Sequence, residues 1–231
     1  MTQINAREHS LYVRDLFSRI AHRYDLMNRL MTAGQDVRWR KDVIRRAALK
    51  DGSSLLDIGT GTGDLAREAK RQCPGAKVFP ADFTLRMMQV GQEHGIFKDC
   101  SASDALGLPF SDETFDAVVS GFLVRNVSSV DEALREQFRV LKKGGRIVIL
   151  DTTRPKRNLL SPFIWVHMHV VIPLVGGMIS GMRDAYTYLP DTTEHFLTAE
   201  TLSARMSAAG FKNVSFQRRM FGTIAIHWGE K

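Results

Sequence analysis

A doubly wound α/β fold is predicted for this chain by three observations. Leu55-Leu56-Asp57-Ile58 reads as a buried parallel strand, followed by glycine at every second position (Gly59, Gly61, Gly63) and then by a helical run from Asp64. Short apolar strands alternate with helical periodicity from there to Asp151, the pattern of a parallel sheet covered on both faces. With 231 residues and 44% hydrophobic content, the chain can bury one full core of that kind.

The elements follow in order. Val13, Leu16, Phe17, Ile20, Ala21 and Tyr24 fall on one helical face, and a second helix is predicted over Asp36–Leu49. Strands are predicted at 54–58, 77–82, 98–102, 115–121 and 145–151, with helices at 63–72, 84–94 and 130–142 between them. Gly144-Gly145 is expected to end the last of these helices, a common use of glycine. Leu159–Met182 is strongly apolar but is interrupted by Pro173 and Gly176-Gly177, so its longest run is too short to span a bilayer. It is expected to pack on the sheet, to cover a lipophilic substrate, or to do both with different faces. His167 and His169 alternate within it and suit partly buried rings on a helix better than a zinc pair. Asn213–Met220 and Thr223–Trp228 read as two strands joined around Gly222.

The spacing of the glycine loop bears on the ligand. A dinucleotide fingerprint needs a third glycine at position 64, where Asp64 stands, and an acid there would repel a pyrophosphate. The D-x-G-x-G-x-G pattern suits a nucleoside without phosphate. S-adenosylmethionine (SAM) has that character, with a carboxylate for loop N–H groups and two cationic centres that favour nearby acids. Asp57, Gly59, Gly61, Thr62 and Gly63 are the first cofactor candidates. Asp82 ends the second strand, nineteen residues past Gly63, where a carboxylate can accept both ribose hydroxyls; Phe83 adjoins it. NAD carries the same ribose, so Asp82 alone does not choose between the two, and a helix cap ahead of Thr84 is the alternative role.

Ser103-Asp104-Ala105, then Leu108-Pro109-Phe110, ahead of a strand, resembles the adenine-binding segment of class I SAM-dependent methyltransferases. That resemblance implies that Asp104 accepts from the adenine amino group and that Ala105 lies near the ring. Arg23-Tyr24-Asp25-Leu26-Met27-Asn28, Arg125-Asn126-Val127, Leu141-Lys142-Lys143-Gly144-Gly145, Tyr188-Leu189-Pro190 and Ala208-Ala209-Gly210-Phe211 occur in that order. Together they resemble the UbiE/MenG-type quinone C-methyltransferases from about Val13 to the C-terminus. The resemblance implies a Rossmann-like, mostly parallel seven-stranded sheet with an antiparallel C-terminal hairpin and an N-terminal helical cover. It implies one domain over 1–231: a cover (1–50), a SAM-binding core (51–151), a lipophilic substrate cover (152–200) and a C-terminal helix and hairpin (201–231). The chain departs from the family at Ser120-Gly121-Phe122-Leu123-Val124, where the family's serine would fall on Gly121; both Ser120 and Gly121 stay cofactor candidates. It also has Asp151 where the family has glutamate.

The implied activity is methylation of a polyprenylated quinol at a ring carbon, either demethylmenaquinol or the equivalent benzoquinol. A ring carbon becomes nucleophilic once a phenolic proton leaves. Arg125 cannot take that proton near pH 7, but it can stabilise the phenolate or polarise a water. Asn126 would fix the same oxygen and Tyr24 the other one. The alternatives are a salt bridge from Arg125 to Asp131 or Glu132, and a core role for Tyr24; Asp151 is the next candidate base. Other readings of the whole chain are an O- or N-methyltransferase on the same fold, or a silent SAM-binding partner subunit.

Composition sets the remaining expectations. Two distant cysteines, Cys73 and Cys100, and no H-E-x-x-H among seven histidines point to a reducing compartment and no metal. Met1–Ser10 is polar and lacks the apolar stretch of a signal peptide, which suggests a cytoplasmic protein. The net charge is +7, with Arg38, Arg40, Lys41, Arg45 and Arg46 close together. No nucleic-acid recognition motif accompanies them, so nucleic acid is disfavoured. Either a solvated helix face or peripheral attachment to anionic lipid on the inner face of the cytoplasmic membrane fits better. A homo-oligomer is left open.

Overall fold

The computed structural model describes residues 6–155, 161–171, 173–174 and 192–231. Within them, seven strands form one sheet: β1 (Ser54–Ile58), β2 (Lys77–Asp82), β3 (Ser101–Ala102), β4 (Phe115–Gly121), β5 (Leu141–Thr152), β6 (Lys212–Arg219) and β7 (Ile224–Glu230). Their order is β3-β2-β1-β4-β5-β7-β6. β1 to β5 run parallel, and β7 lies antiparallel between β5 and β6. The chain leaves β1 in one direction and crosses back to β4. The resulting switch point between β1 and β4 is where open α/β sheets bind ligands, at the C-terminal ends of the strands.

The helices are α1 (Ala6–Ile20), α2 (Tyr24–Met31), α3 (Gln35–Ala47), α4 (Asp64–Gln72), α5 (Leu85–Glu93), α6 (Val130–Val140), α7 (Ser161–Val166) and α8 (Ala199–Ala208). Alternation along the strands sorts side chains onto two faces. Leu56, Ile58, Val118, Ile147 and Ile149 meet Leu134 of α6 and Leu202 and Met206 of α8. Leu55, Ala117, Val119, Val148 and Leu150 meet Trp39, Val43 and Ile44 of α3 and Leu65 and Ala69 of α4. Each large side chain so buried contributes about 1.5–3 kcal/mol, enough in sum to hold the sheet against its ordering entropy.

Three expectations change. The N-terminal periodic run is not one helix: α1 ends at Ile20, a 3₁₀ turn covers Ala21–Arg23, and Tyr24 opens α2. The helix predicted over 130–142 stops at Val140, and β5 starts at Leu141 through its pairing with Phe115. Gly144, at φ +73°, absorbs the extra residues of β5 between the Phe115–Leu141 and Ala117–Arg146 pairs, so the glycine pair serves a bulge rather than a helix end. The third strand shrinks from 98–102 to two residues, because only Ser101 and Ala102 reach the edge of β2. Tyr188-Leu189-Pro190 and much of Leu159–Met182 lie outside the described residues.

Candidate functional site

Two cavities flank the end of β4. The first is a cleft at the switch point, lined by Gly59 and Gly61 of the loop, by Asp82, Phe83 and Met87, by Asp104, Ala105 and Leu106, and by Gly121–Leu123, Asn126 and Val127. Val13 and Phe17 of α1, with Tyr24, cover it. Its volume is about 100 Å³, below the roughly 300–1,000 Å³ common for ligand pockets, so the side chains of α1 must give way to admit a nucleoside.

The loop is organised by two carboxylates. Asp57, fully buried, accepts from the Thr60 hydroxyl (2.7 Å) and from Ala66 N–H (3.0 Å), while its Oδ1 has no partner. Burial pushes its pKa up to about 7 despite those bonds. Asp82 accepts from Gly61 N–H (2.8 Å) with one oxygen and from Thr84 N–H (2.7 Å) with the other. It therefore ties the loop to α5, and each oxygen keeps a lone pair for a ribose hydroxyl. Burial raises its pKa. Gly59 and Gly61 take φ of +68° and +58°, and a Cβ on Gly61 would stand 3.2 Å from Met87 Cε. At the opposite rim, Asp104 accepts from Leu106 N–H (2.9 Å) beside the buried Ala105. Acids at both ends and an apolar floor suit a nucleoside that carries cationic groups.

Other predicted cofactor residues sit elsewhere. Thr62 gives its hydroxyl to Asp25 (2.6 Å), pinning the N-terminal cover to the loop, and Gly63 at φ +92° opens α4. Ser120 shares the face of Val118, is fully buried with no partner for its hydroxyl, and lines neither cavity; Gly121 does line the cleft. Asp64 does not confront a ligand as a bare acid: Arg67 and Arg40 (3.3 Å) pair with it. Arg40 is itself buried between Asp36 and Asp64, which removes it from the predicted lipid-facing cluster. Arg46 lies over the Trp228 ring at 3.6 Å. Arg38, Lys41 and Arg45 remain exposed.

The second cavity is larger, about 420 Å³, and mostly apolar. Leu30, Met31, Phe122, Ile164, Met220, Phe221 and Ile224 form most of its wall. Eight polar side chains complete it: Asn28, Thr32, Gln35, Arg125, Thr152, His167, Thr193 and Thr223. Four of them carry a buried atom without a hydrogen-bond partner, namely Asn28 Nδ2, Arg125 Nε, Thr152 Oγ1 and His167 Nε2. Buried polar atoms left unpaired are costly, so four around one apolar cavity mark a place for a ligand with oxygen atoms. Phe122 is the one residue lining both cavities among those described, and it holds the left-handed φ of +59° that bulky residues avoid.

The three predicted catalytic residues divide between these cavities. Arg125 faces the apolar one, its guanidinium donating to Asp151 Oδ1 at 2.9 Å with side-chain exposures of 6% and 0%. Asp151 also accepts from Arg125 N–H (3.2 Å). The salt bridge is therefore to Asp151, whereas Asp131 pairs with Arg205, and Asp151 is committed rather than free to act as a base. Asn126 faces the cleft and donates to the Phe122 carbonyl (2.9 Å). Tyr24 also lies on the cleft side, where burial raises its pKa.

Asn28, Thr152 and His167 are not among the predicted site residues, His167 being expected only as a partly buried ring on a helix. Asn28 lies in the Arg23–Asn28 motif, four residues after Tyr24 and so one helical turn on, which was an available signal. Nothing local distinguishes Thr152 or His167.

Comparison with known proteins follows the same lines. The profile of the ubiE/COQ5 methyltransferase family matches residues 2–231. A ubiquinone/menaquinone biosynthesis C-methyltransferase UbiE from Desulfotalea psychrophila is 44% identical, covering 95% of this chain and 90% of that one. A demethylmenaquinone methyltransferase from Thermus thermophilus is 42% identical over 94% of this chain and all of its own length (100%). Among solved structures, a SAM-dependent methyltransferase from Thermotoga maritima superposes with a TM-score of 0.65 at 20% identity, covering 94% and 98% of the two chains. The [4+2]-cyclase SpnF superposes with 0.64 at 21% identity, covering 84% and 81%. At that distance the structures speak for the fold alone, and a cyclase among them shows why.

Proposed function

The chain belongs to the ubiE/COQ5 methyltransferase family and is a SAM-dependent methyltransferase, and on that premise we propose that its acceptor is a ring carbon of a polyprenylated quinol. The relatives' names support demethylmenaquinol, the equivalent benzoquinol, or both. One observation carries the reading: an apolar cavity ringed by unpaired polar atoms shares the wall of Phe122 with the nucleoside cleft. A flat hydrocarbon ring with two oxygens matches that lining.

SAM, held by the glycine loop, Asp82, Phe83, Asp104 and Ala105, supplies an activated methyl group. The protein's task is to orient the ring and to manage a proton. Arg125 stabilises charge on the quinol oxygen as the hydroxyl ionises, and Asp151 keeps its fork in one orientation. Tyr24 and Asn126 line the cleft, on the cofactor side of Phe122. Ile164 and His167, described residues of the segment 152–200, line the apolar cavity, which supports a substrate-covering role for that segment.

A lipid substrate also supports docking of the cavity's mouth on a membrane. Leu30 and Phe221 line the cavity and are 46% and 69% exposed, and Trp165, Val170 and Leu174 are exposed nearby in sequence to Ile164 and His167. No helix among the described residues is long and apolar enough to cross a membrane. Attachment would then be peripheral, with Arg38, Lys41 and Arg45 as the basic signal.

The test is incubation with SAM and short-chain demethylated naphthoquinol or benzoquinol, followed by mass spectrometry and NMR. A new ring-carbon methyl is expected. A methyl group on oxygen, or none with either ring, overturns the assignment.

A further inference from the structure

We propose that His167 is the catalytic proton acceptor, taking the quinol hydroxyl proton on Nε2; the inference rests on the quinol reading above. The turn carrying His167 differs from the rest of its helix. α7 is α-helical over Ser161–Val166 and widens into a π-helical turn over His167–Val171, a local irregularity that often accompanies function. Ile164 and His167, three residues apart, line the apolar cavity from the same helix face. Nε2 of His167 is buried and unpartnered, whereas His169 on the same turn is engaged by Glu194 (3.3 Å) and stacked on Trp165.

The chemistry of the lining excludes the other candidates. His167 and Arg125 are the titratable groups among the described residues of the wall. Arg125 is a donor only and stays charged. Asp151 behind it is fully buried and occupied by Arg125 and by Thr152 N–H (2.7 Å). Asn28 and Thr152 can orient an oxygen but do not accept a proton near neutrality. An imidazole that carries its proton on Nδ1 offers the Nε2 lone pair as a base.

The step balances. The hydroxyl proton passes to Nε2 as the O–H pair moves into the ring. The ring carbon forms a bond to the methyl group while the S–CH₃ pair remains on sulfur, leaving a neutral thioether. The proton on that ring carbon is then lost to water and its electron pair restores aromaticity. The imidazolium returns its proton to the oxygen, so the net product is one proton in solution.

The experiment compares wild type with His167→Ala and His167→Gln, using SAM and short-chain demethylated naphthoquinol and benzoquinol. SAM affinity by calorimetry checks that each variant is folded. Expected are a fall in kcat of about 100-fold or more in both variants, KM within a few-fold, and unchanged SAM affinity. Added imidazole should partly restore His167→Ala. If wild type turns over and both variants stay within a few-fold of its kcat, or only KM changes, the role of His167 is overturned while the substrate reading stands. If wild type binds SAM but methylates neither ring, the substrate reading fails and takes this inference with it. Should the alanine variant lose SAM binding, His167→Gln decides the question alone.

Discussion

The nucleoside cleft and the apolar cavity differ in how they are finished. Every oxygen of Asp82 already holds a backbone N–H, and the cleft is pinched to about 100 Å³ under α1. The apolar cavity is open at about 420 Å³, and its polar atoms are unpaired. One site is internally satisfied and must yield to its ligand; the other is preformed and stays unsatisfied until its ligand arrives. The difference teaches that the cleft's affinity depends on displacing existing contacts, while the cavity's specificity comes from supplying missing ones.

The largest effect should come from Gly61→Val. A β-branched side chain at φ +58° is strained, and its Cβ would crowd Met87 Cε at 3.2 Å. Calorimetry should find no SAM binding, while fluorescence quenching by a short-chain quinone should be unchanged. Loss of both would mean that the two regions are not separable.

Next comes Arg125→Ala. Turnover on the quinol should fall by about two orders of magnitude or more, with SAM affinity within about twofold of wild type. Arg125→Lys should recover only part, because a point charge does not reproduce the planar fork. The alanine variant leaves Asp151 buried without its cation, at a cost of about 3–5 kcal/mol, so urea unfolding should register that loss too. Normal turnover in a folded variant would make Arg125 structural.

Asp82→Ala should weaken SAM by about 1.5–3 kcal/mol, the range for hydrogen bonds to a charged group, and barely change quinone binding. An unaltered SAM Kd would remove Asp82 from the cofactor site.

The smallest effect separates two histidines rather than two cavities. His227 on β7 is buried, hydrogen-bonded to the Ala199 carbonyl (3.0 Å), with its pKa pushed down to about 4 by burial. Its folded pKa lies below the unfolded value of about 6.5, so protons bind the unfolded chain preferentially between these limits. Its stability contribution is complete above roughly pH 6.5 and falls as pH drops toward 4, about 1.5 kcal/mol having gone by pH 5.5. Urea midpoints at pH 7.5 and 5.5 should show that loss in wild type and not in His227→Gln. Equal losses would assign the acid sensitivity to other groups.

The same contrast explains what could be read from the chain. The cleft is built from short contiguous motifs, residues 57–63, 82–83 and 104–105, because a loop at a strand end must carry its own glycines and acids. The apolar cavity takes its unpaired polar side chains one at a time: Asn28 from α2, Arg125 from the turn after β4, Thr152 from the end of β5 and His167 from the π-helical turn after α7. No local spacing links Asn28 to Thr152 or His167, so only the folded chain brings them together. Of the two neighbouring candidates, Gly121 lines the cleft while Ser120 shares the face of Val118 and lines neither cavity. Gly144-Gly145 went wrong because glycine serves helix ends and bulges equally well, and the choice lay in how Phe115 pairs with Leu141.

Tyr24, Asp25 and Asn28 occupy barely more than one turn of α2, yet they reach the cleft, the glycine loop and the apolar cavity respectively. A shift of that turn on binding one ligand would reset its contacts to the other. Any coupling carried this way must be equal in both directions: whatever factor the nucleoside adds to quinol affinity, the quinol returns to the nucleoside.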